Sequence, residues 1–324
     1  MELRLLLRIL ADGAFHSGEQ IGRDMSISRT AVWKQVEKLR GLGVDIHSVT
    51  GKGYRLPAAM VLLDSQRIIA QLGGDAGHWR KVLRVEFSTT STNKDALEAA
   101  HRGHEDGIFV AEHQSEGRGR RGRSWVSPAG SSIYFSMLVT FAGGASELEG
   151  FSLAVAVMVV RALNASGYTG FSLKWPNDIL RELRKVAGIL LEITGDLTGP
   201  CRIVIGIGIN VRVSATLMSR VDQPVAALAE GTSAVPDRNL IVANLIRELN
   251  HGIAEFESGG FAGFKEQWEA IDAYKGHSVR IGGPAGWVEG RVLGVNDKGA
   301  LQLETVDGHT SLTGGELAPS VRGL

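Results

Sequence analysis

The stretch GRGRRGRSW, residues 117–125, gathers four arginines and three glycines in nine residues of a chain whose formal net charge is zero. Guanidinium forks grip phosphate or carboxylate oxygens in pairs, and glycines let the backbone approach a ligand, so such density suits one small anion. Two nucleotide-loop patterns fit the letters. Gly117, Gly119 and Gly122 spell G-x-G-x-x-G, and Gly117 to Ser124 come within one residue of a Walker A loop. Both patterns demand a helix that opens straight after the glycine turn and presents its amides to phosphate. Here the chain runs on as SWVSPAGSSIYFSMLV, with Ser, Pro and Gly followed by a strand-like run, and no acid stands in the later MLVTFAGG (137–144). The absence of H-R-D and D-F-G excludes a kinase loop. Arg-Gly runs that bind RNA are repeated, whereas this one is single and flanked by apolar strands. What remains is a folded loop around a dense anion; the bland alternative, arginines pairing with surface acids, seldom clusters so tightly.

Four other stretches carry candidate chemistry. LKWPND (173–178) sets Lys174, Asn177 and Asp178 around a strand-stopping proline, and Lys185 follows in RKVAGILLEI at the mouth of an apolar strand. A lysine there, with an acid close in sequence, either holds negative charge in catalysis or is a snorkelling strand-end lysine. IVIGIGINV (203–211) is a strand broken by Gly206 and Gly208 and ending at Asn210; glycines inside a strand mark a ligand lying against the backbone. FSTTSTNKDAL (87–97) supplies Ser91, Thr92 and Asn93 for binding or merely as a helix cap, and Gln114 stands just before the arginine loop. Nine histidines include no H-E-x-x-H, and the single cysteine Cys201 supports neither a disulfide nor a cysteine-rich zinc site, so no protein-bound metal is expected.

These residues need elements to position them, and the length of 324 residues suggests two or three domains. Residues 1–62 form one unit. HSGEQIGRDM opens with a capping box, Ser17 and Gln20; ISRTAVWKQVEKLRGLG follows after a short turn, with Val32, Val36 and Leu39 as its buried stripe. VDIHSVTGKGYRL reads as two strands around a Gly51-Lys52-Gly53 turn, which completes a winged helix-turn-helix. Nine basic and six acidic residues in 1–56 make +3. Ser28, Arg29, Thr30, Trp33, Lys34, Lys38 and the wing's Lys52 are its candidate DNA contacts, and the modest charge favours a dimer reading two half-sites. A winged helix reused for protein contacts is the alternative. PAAMVLLDSQ (57–66) is a hinge. In residues 63–272 strands such as KVLRVEF (81–87) and GIFVAEHQ (107–114) alternate with helices over 147–167 and 237–258, an α+β domain in which Ile241, Leu245 and Leu249 face the core. Residues 273–324 hold short strands parted by Gly-Gly-Pro, Asn-Asp-Lys-Gly and Asp-Gly turns, a small β-barrel. MELRLLLRILADG reads as an amphipathic helix rather than a signal peptide, and FSLAVAVMVV (151–160) is too short to span a bilayer, so a cytoplasmic protein is expected.

STN (91–93), QSEGRGRRGRSW (114–125), KWPND (174–178), RKVAGIL (184–190) and GIGIN (206–210), in this order behind a winged helix and ahead of a small barrel, closely resemble one family. The chain is similar to bifunctional biotin-protein ligases that are also biotin operon repressors, the group-II biotin-[acetyl-CoA-carboxylase] ligases, over nearly its whole length. The resemblance implies an α+β multidomain fold: a winged helix-turn-helix, a central α/β catalytic domain built on a mixed sheet like class II aminoacyl-tRNA synthetases, and a C-terminal SH3-like barrel. It implies ATP and biotin as substrates with Mg2+, formation of biotinyl-5'-AMP, and transfer to a lysine of the biotin carboxyl carrier protein of acetyl-CoA carboxylase. It further implies operator DNA and a ligand-dependent homodimer as partners, and no membrane.

By similarity, biotin contacts are Ser91, Thr92, Asn93, Gln114, Gly117, Arg118, Gly119, Arg120, Trp125, Lys185, Gly206 and Gly208. The adenylate would meet Arg118, Arg120, Arg121, Lys174, Asn177, Lys185, Gly188 and Asn210, with Lys185, Arg120 and Asp178 nearest the chemistry. The sequence departs from the family after Asn210, where VRVSATLMSRVDQPVAALAEG holds no aromatic residue to stack on adenine. Aliphatic packing from Val221 or Val225 would replace it. A non-enzymatic biotin-sensing transcription factor and a lipoate-type acyl ligase are the rival readings; retention of both Arg120 and Lys185 argues against the first, the winged helix and arginine loop against the second.

Overall fold

The computed structural model describes residues 2–195, 199–221, 223–232, 234–283 and 286–318. Its N-terminal unit is α1 (Glu2–Leu10), α2 (Gly18–Met25), α3 (Arg29–Gly41) and the antiparallel wing strands β1 (His47–Val49) and β2 (Gly53–Arg55). Ser17 caps α2 by accepting from the Gln20 amide at 3.1 Å, and Ser28 caps α3 by accepting from Ala31 at 3.2 Å. Leu6, Leu7 and Leu10 of α1 pack on Val32, Val36 and Leu39 of α3, so the predicted stripe is the core of this unit. Arg29, Thr30, Trp33, Lys34, Lys38 and Lys52 are exposed on the opposite side.

The connection that follows is tied down by charge. Arg238 and Glu112 form an ion pair at 2.7 Å with both side chains 2% exposed. The guanidinium also donates to the carbonyls of Val61 and Ser132, and Glu112 accepts from the Leu63 amide. Asn239 accepts from the Asp64 amide and donates to the Leu62 carbonyl. The stretch expected to be a hinge is thus anchored along 61–64 by hydrogen bonds to Arg238, Glu112 and Asn239.

The chain continues through α4 (Ser65–Leu72), the short α5 (Trp79–Val82), β3 (Leu83–Thr89), α6 (Thr92–His101), β4 (Gly107–Gln114), β5 (Ser132–Phe141), α7 (Phe151–Ala165), β6 (Phe171–Lys174), β7 (Asp178–Arg181), β8 (Arg184–Gly195), β9 (Cys201–Asn210), α8 (Ala215–Arg220), α9 (Arg238–Gly259) and α10 (Ala262–Ala270). The strand expected from Lys81 begins two residues later, because Trp79, buried, closes one helical turn first. The sheet is mixed, with order β3-β4-β5-β9-β8-β7-β6 and only β3 and β4 parallel. Helices α4, α7 and α9 bury one of its faces, with Ile241, Leu245 and Leu249 fully inside. On the other face α6 covers Phe109, Leu138 and Val204. Register makes three rows across that second face: Leu138–Val204–Glu192, Ser136–Gly206–Leu190 and Tyr134–Gly208–Gly188. The first row lies under α6; the next two, emptied by glycines, floor a depression.

The C-terminal unit is five antiparallel strands, β10 (Ser278–Gly283), β11 (Gly286–Val295), β12 (Leu301–Thr305), β13 (Gly308–Leu312) and β14 (Glu316–Ala318), in the order β13-β12-β11-β10-β14 with a bulge between Val292 and Gly294. Trp175 donates its indole N–H to the Gly299 carbonyl at 3.1 Å, which fastens this sheet beside KWPND. Among the described residues no helix is long and apolar enough to cross a membrane.

Candidate active site

The depression is one cavity of about 480 Å³ including its mouth. Its walls come from the start of α6, the end of β4, the arginine loop, and the glycine-bearing middles of β8 and β9. No α-helix starts in the arginine loop. Instead it folds back on itself: Gly119 N donates to Arg123 O at 2.7 Å, Trp125 N donates to Gly117 O at 2.8 Å, and Arg123 N donates to Arg120 O at 3.2 Å across a left-handed turn with positive φ at Arg121 and Gly122. This hairpin-like geometry carries Arg118, Arg120 and Trp125 to the cavity rather than cradling phosphate on helix amides.

One end of the cavity is polar and uncharged. Gln114 accepts from the Thr92 amide and hydroxyl and donates to Ser127, which donates to the Trp125 carbonyl. The Ser136 hydroxyl lies 2.8 Å from Thr92 Oγ1 and 2.6 Å from Asn93 Oδ1. Ser91, the residue before α6, makes no side-chain cap bond and lines the cavity. A Cβ on Gly206 would overlap the Asn93 amide, and one on Gly208 would overlap the Trp125 indole. Both glycines are therefore needed for those side chains to lie flat on the sheet.

The other end is cationic. Lys185 Nζ stands 2.7 Å from Asp178 Oδ1, each side chain 15% exposed, and 5.3 Å from the Trp125 ring centroid. Arg120 donates to Asn177 Oδ1 at 3.1 Å, while Asn177 donates to the Ile189 carbonyl. An adjoining cavity continues from here, lined by Arg121, Arg123, Lys174, Asn177, Asp178, Gln223 and Gly315 among others. Lys185 is further held by its own backbone, which pairs with Pro224 and Ala226.

Of the residues singled out in the sequence, Ser91, Thr92, Asn93, Gln114, Arg118, Gly119, Arg120, Trp125, Asn177, Lys185, Gly188, Gly206 and Gly208 line the first cavity. Arg121, Lys174 and Asp178 line the second. Two lie behind the walls. Gly117 is buried where a side chain would strike the Trp125 carbonyl and Ser127. Asn210, 2% exposed, donates to the Lys185 carbonyl at 3.3 Å and accepts from Leu228, so it braces the strand that presents Lys185. Val225 bridges Lys185. Sequence reading missed Tyr134, Ser127, Ser136 and Glu192. Burial pushes the Tyr134 phenol well above its usual range, and it donates to the Pro128 carbonyl. Glu192 was visible only as a lone acid in an apolar strand. Among the described residues no group of three or more His, Cys, Asp or Glu side chains is placed to hold a metal ion.

Comparison with known proteins assigns each unit. The profile of the Biotin/lipoate A/B protein ligase family matches residues 84–210, an HTH domain profile matches 2–55, and the Biotin protein ligase C terminal domain matches 276–317. The bifunctional ligase/repressor BirA of Escherichia coli is 37% identical over 299 residues, 92% of this chain and 91% of that protein. Its Bacillus subtilis namesake is 30% identical over 300 residues, 92% of each. Among solved structures, biotin protein ligase from Aquifex aeolicus in complex with biotin and ATP superposes with a TM-score of 0.63 at 28% identity, covering 74% of this chain and 98% of that one. The chain belongs to the biotin protein ligases, in the branch that joins a ligase to a helix-turn-helix repressor.

Proposed function

We propose that this protein is an ATP-dependent biotin-protein ligase that also represses biotin synthesis genes when its ligand is bound. The observation that carries the reading is a single cavity with two chemically different ends, neutral hydrogen-bonding groups at one and Lys185 with Arg120 at the other. Biotin has the matching polarity. Its ureido head would exchange hydrogen bonds with Ser91, Thr92, Asn93 and Gln114, its rings would pack against the Trp125 indole where that ring lies on the Gly208 floor, and its carboxylate would reach Lys185.

In the first step a biotin carboxylate oxygen attacks the α-phosphorus of ATP, the bond to pyrophosphate breaks, and biotinyl-5'-AMP remains. Two anions must meet, and fixed cations that need no reorganisation lower that barrier. Lys185 would span carboxylate and phosphoryl oxygens, Arg120 the phosphate, and Arg121 and Lys174 the departing pyrophosphate in the adjoining cavity. Mg2+ would enter on the triphosphate. In the second step an uncharged lysine amine of the biotin carboxyl carrier protein attacks the acyl carbon and AMP leaves. Asp178 pairs with the Lys185 ammonium and would serve either to orient that amine or to meet the metal. Asn210 acts through the Lys185 strand, and Gly117 through the loop, rather than by touching the ligand. Adenine would pack on aliphatic groups in place of an aromatic ring.

The exposed face of α3 with the wing's Lys52 would read operator DNA as a ligand-dependent homodimer, in the cytoplasm. Incubation with ATP, Mg2+, radiolabelled biotin and a biotin carrier domain should label one acceptor lysine; no label would sink the ligase reading. A gel shift on the promoter of the chain's own biotin genes should depend on biotin plus ATP, and ligand-independent or absent binding would sink the repressor reading.

A further inference from the structure

Glu192 lies outside the cavity lining yet holds two of its walls together. It sits on the cavity face of β8, in the row Leu138–Val204–Glu192 under α6. Its Oε2 accepts from Asn93 Nδ2 at 2.8 Å, and its Oε1 faces Arg118 NH1 at 3.2 Å. Asn93 is 5% exposed at the start of α6, and Arg118 belongs to the arginine loop on the other side of the mouth. Both partners are donors, so both carboxylate oxygens are used. An amide in the same place would present a single acceptor and leave one partner facing an N–H. The carboxylate also decides which way Asn93 points. With Nδ2 committed to Glu192, Oδ1 must turn to Ser136 at 2.6 Å, and the polarity of the neutral end follows from there.

We propose that Glu192 is a positioning residue for the neutral end of the site, a carboxylate clasp that fixes the Asn93 amide and fastens the arginine loop across the mouth through Arg118. The clasp presents an oriented Asn93 to a neutral, hydrogen-bonding ligand head and holds the loop close to its working place before the ligand arrives, which reduces what binding must order. Its meaning for biotin rests on the ligase reading above; the clasp itself does not.

The test uses the full chain. Glu192→Gln should raise the KM for biotin about tenfold while kcat stays within about threefold, because the clasp acts on head binding rather than on the reacting oxygens. In the ligand-free protein it should also speed tryptic cleavage after the loop arginines severalfold. The double variant Asn93→Asp, Glu192→Gln exchanges the polarity of the pair: the amide introduced on β8 then donates to the carboxylate introduced on α6 and accepts from Arg118. It should recover most of the lost protection from trypsin, a rescue that simple space-filling at position 192 would not give; the KM for biotin is read in Glu192→Gln alone, because Asn93 itself meets the ligand. Wild-type KM and wild-type cleavage in Glu192→Gln, or a double variant worse than the two single changes combined, would overturn the proposal. If the parent transfers no biotin, the ligase reading fails, and the cleavage and rescue measurements still decide whether Glu192 clasps the loop.

Discussion

Two of the molecule's arginine–glutamate pairs look alike in sequence and differ in kind. Arg238–Glu112 is 2.7 Å long with both side chains 2% exposed, and around it stand the Val61 carbonyl and Leu63 amide of the connection between the winged helix and the sheet and the Ser132 carbonyl of β5. Arg118–Glu192 is 3.2 Å long, with 46% and 25% exposure, and reaches across a ligand cavity. The first pair has lost its water and must keep every partner it has. The second retains solvent, contributes little to folding by itself, and can be rearranged when a ligand arrives. Burial, more than residue type, separates a structural pair from a working one.

That contrast breaks most sharply at Glu112. Glu112→Ala would strand a guanidinium in the interior and should destabilise the protein by about 3–5 kcal/mol. The fall should show in the denaturant midpoint. A loss no larger than that of Glu192→Gln would erase the distinction between the pairs.

Lys185 tests the working side. Lys185→Gln removes a fixed charge from the oxygens that react, and the adenylation rate should fall by about 10²–10³. Pyrophosphate release measures this directly. The side chains of Lys185 and Asp178 are each 15% exposed, so the thermal midpoint should move far less than in Glu112→Ala. An undiminished rate, or a collapse of the fold, would reassign the pair to structure.

Gly208 is a smaller lever on the same side. Its Cβ would displace the Trp125 indole, so Gly208→Ala should shift the ring off the floor and lower kcat/KM for biotin about 10- to 100-fold. Unchanged binding by calorimetry would show that the indole is not part of the biotin site.

These variants also mark what the sequence could reveal. The winged helix was legible because Val32, Val36 and Leu39 repeat at helical spacing, and the sheet because GIFVAEHQ and IVIGIGINV are long apolar runs between helices. Most of the cavity could be read from unusual local composition: glycines inside a strand, arginines in a loop, Pro-Asn-Asp after a lysine. The Asn210 bond to the Lys185 carbonyl was not legible, because it joins two strands that only register places side by side. Glu112 and Glu192 were hidden for the same reason, each a lone acid in an apolar strand whose partner lies far along the chain. Local pattern shows which residues are unusual; only the sheet shows which of them meet.

Asp272 is the counter-case, a carboxyl taken inward without a matched cation. Its Oδ2 is buried with no hydrogen-bond partner, and Oδ1 accepts only from the Tyr274 amide at 2.9 Å. Burial first, then the nearby Glu269 carboxylate, push its pKa up to about 6. The folded state therefore binds this proton more tightly than the unfolded chain does. Stability is lost as pH rises from about 4, where the unfolded acid ionises, through 6, and the cost is constant above that. Asp272→Asn removes the ionisation while keeping the acceptor for Tyr274, and at pH 8 it should stabilise the protein by roughly 1–2 kcal/mol. The gain should vanish once the parent carboxyl is protonated in both states. Thermal midpoints of parent and variant at the two ends of this range decide the matter: a gap that ignores pH, or a variant less stable than the parent at pH 8, would mean that the carboxylate is compensated in the fold after all and belongs with the paired acids.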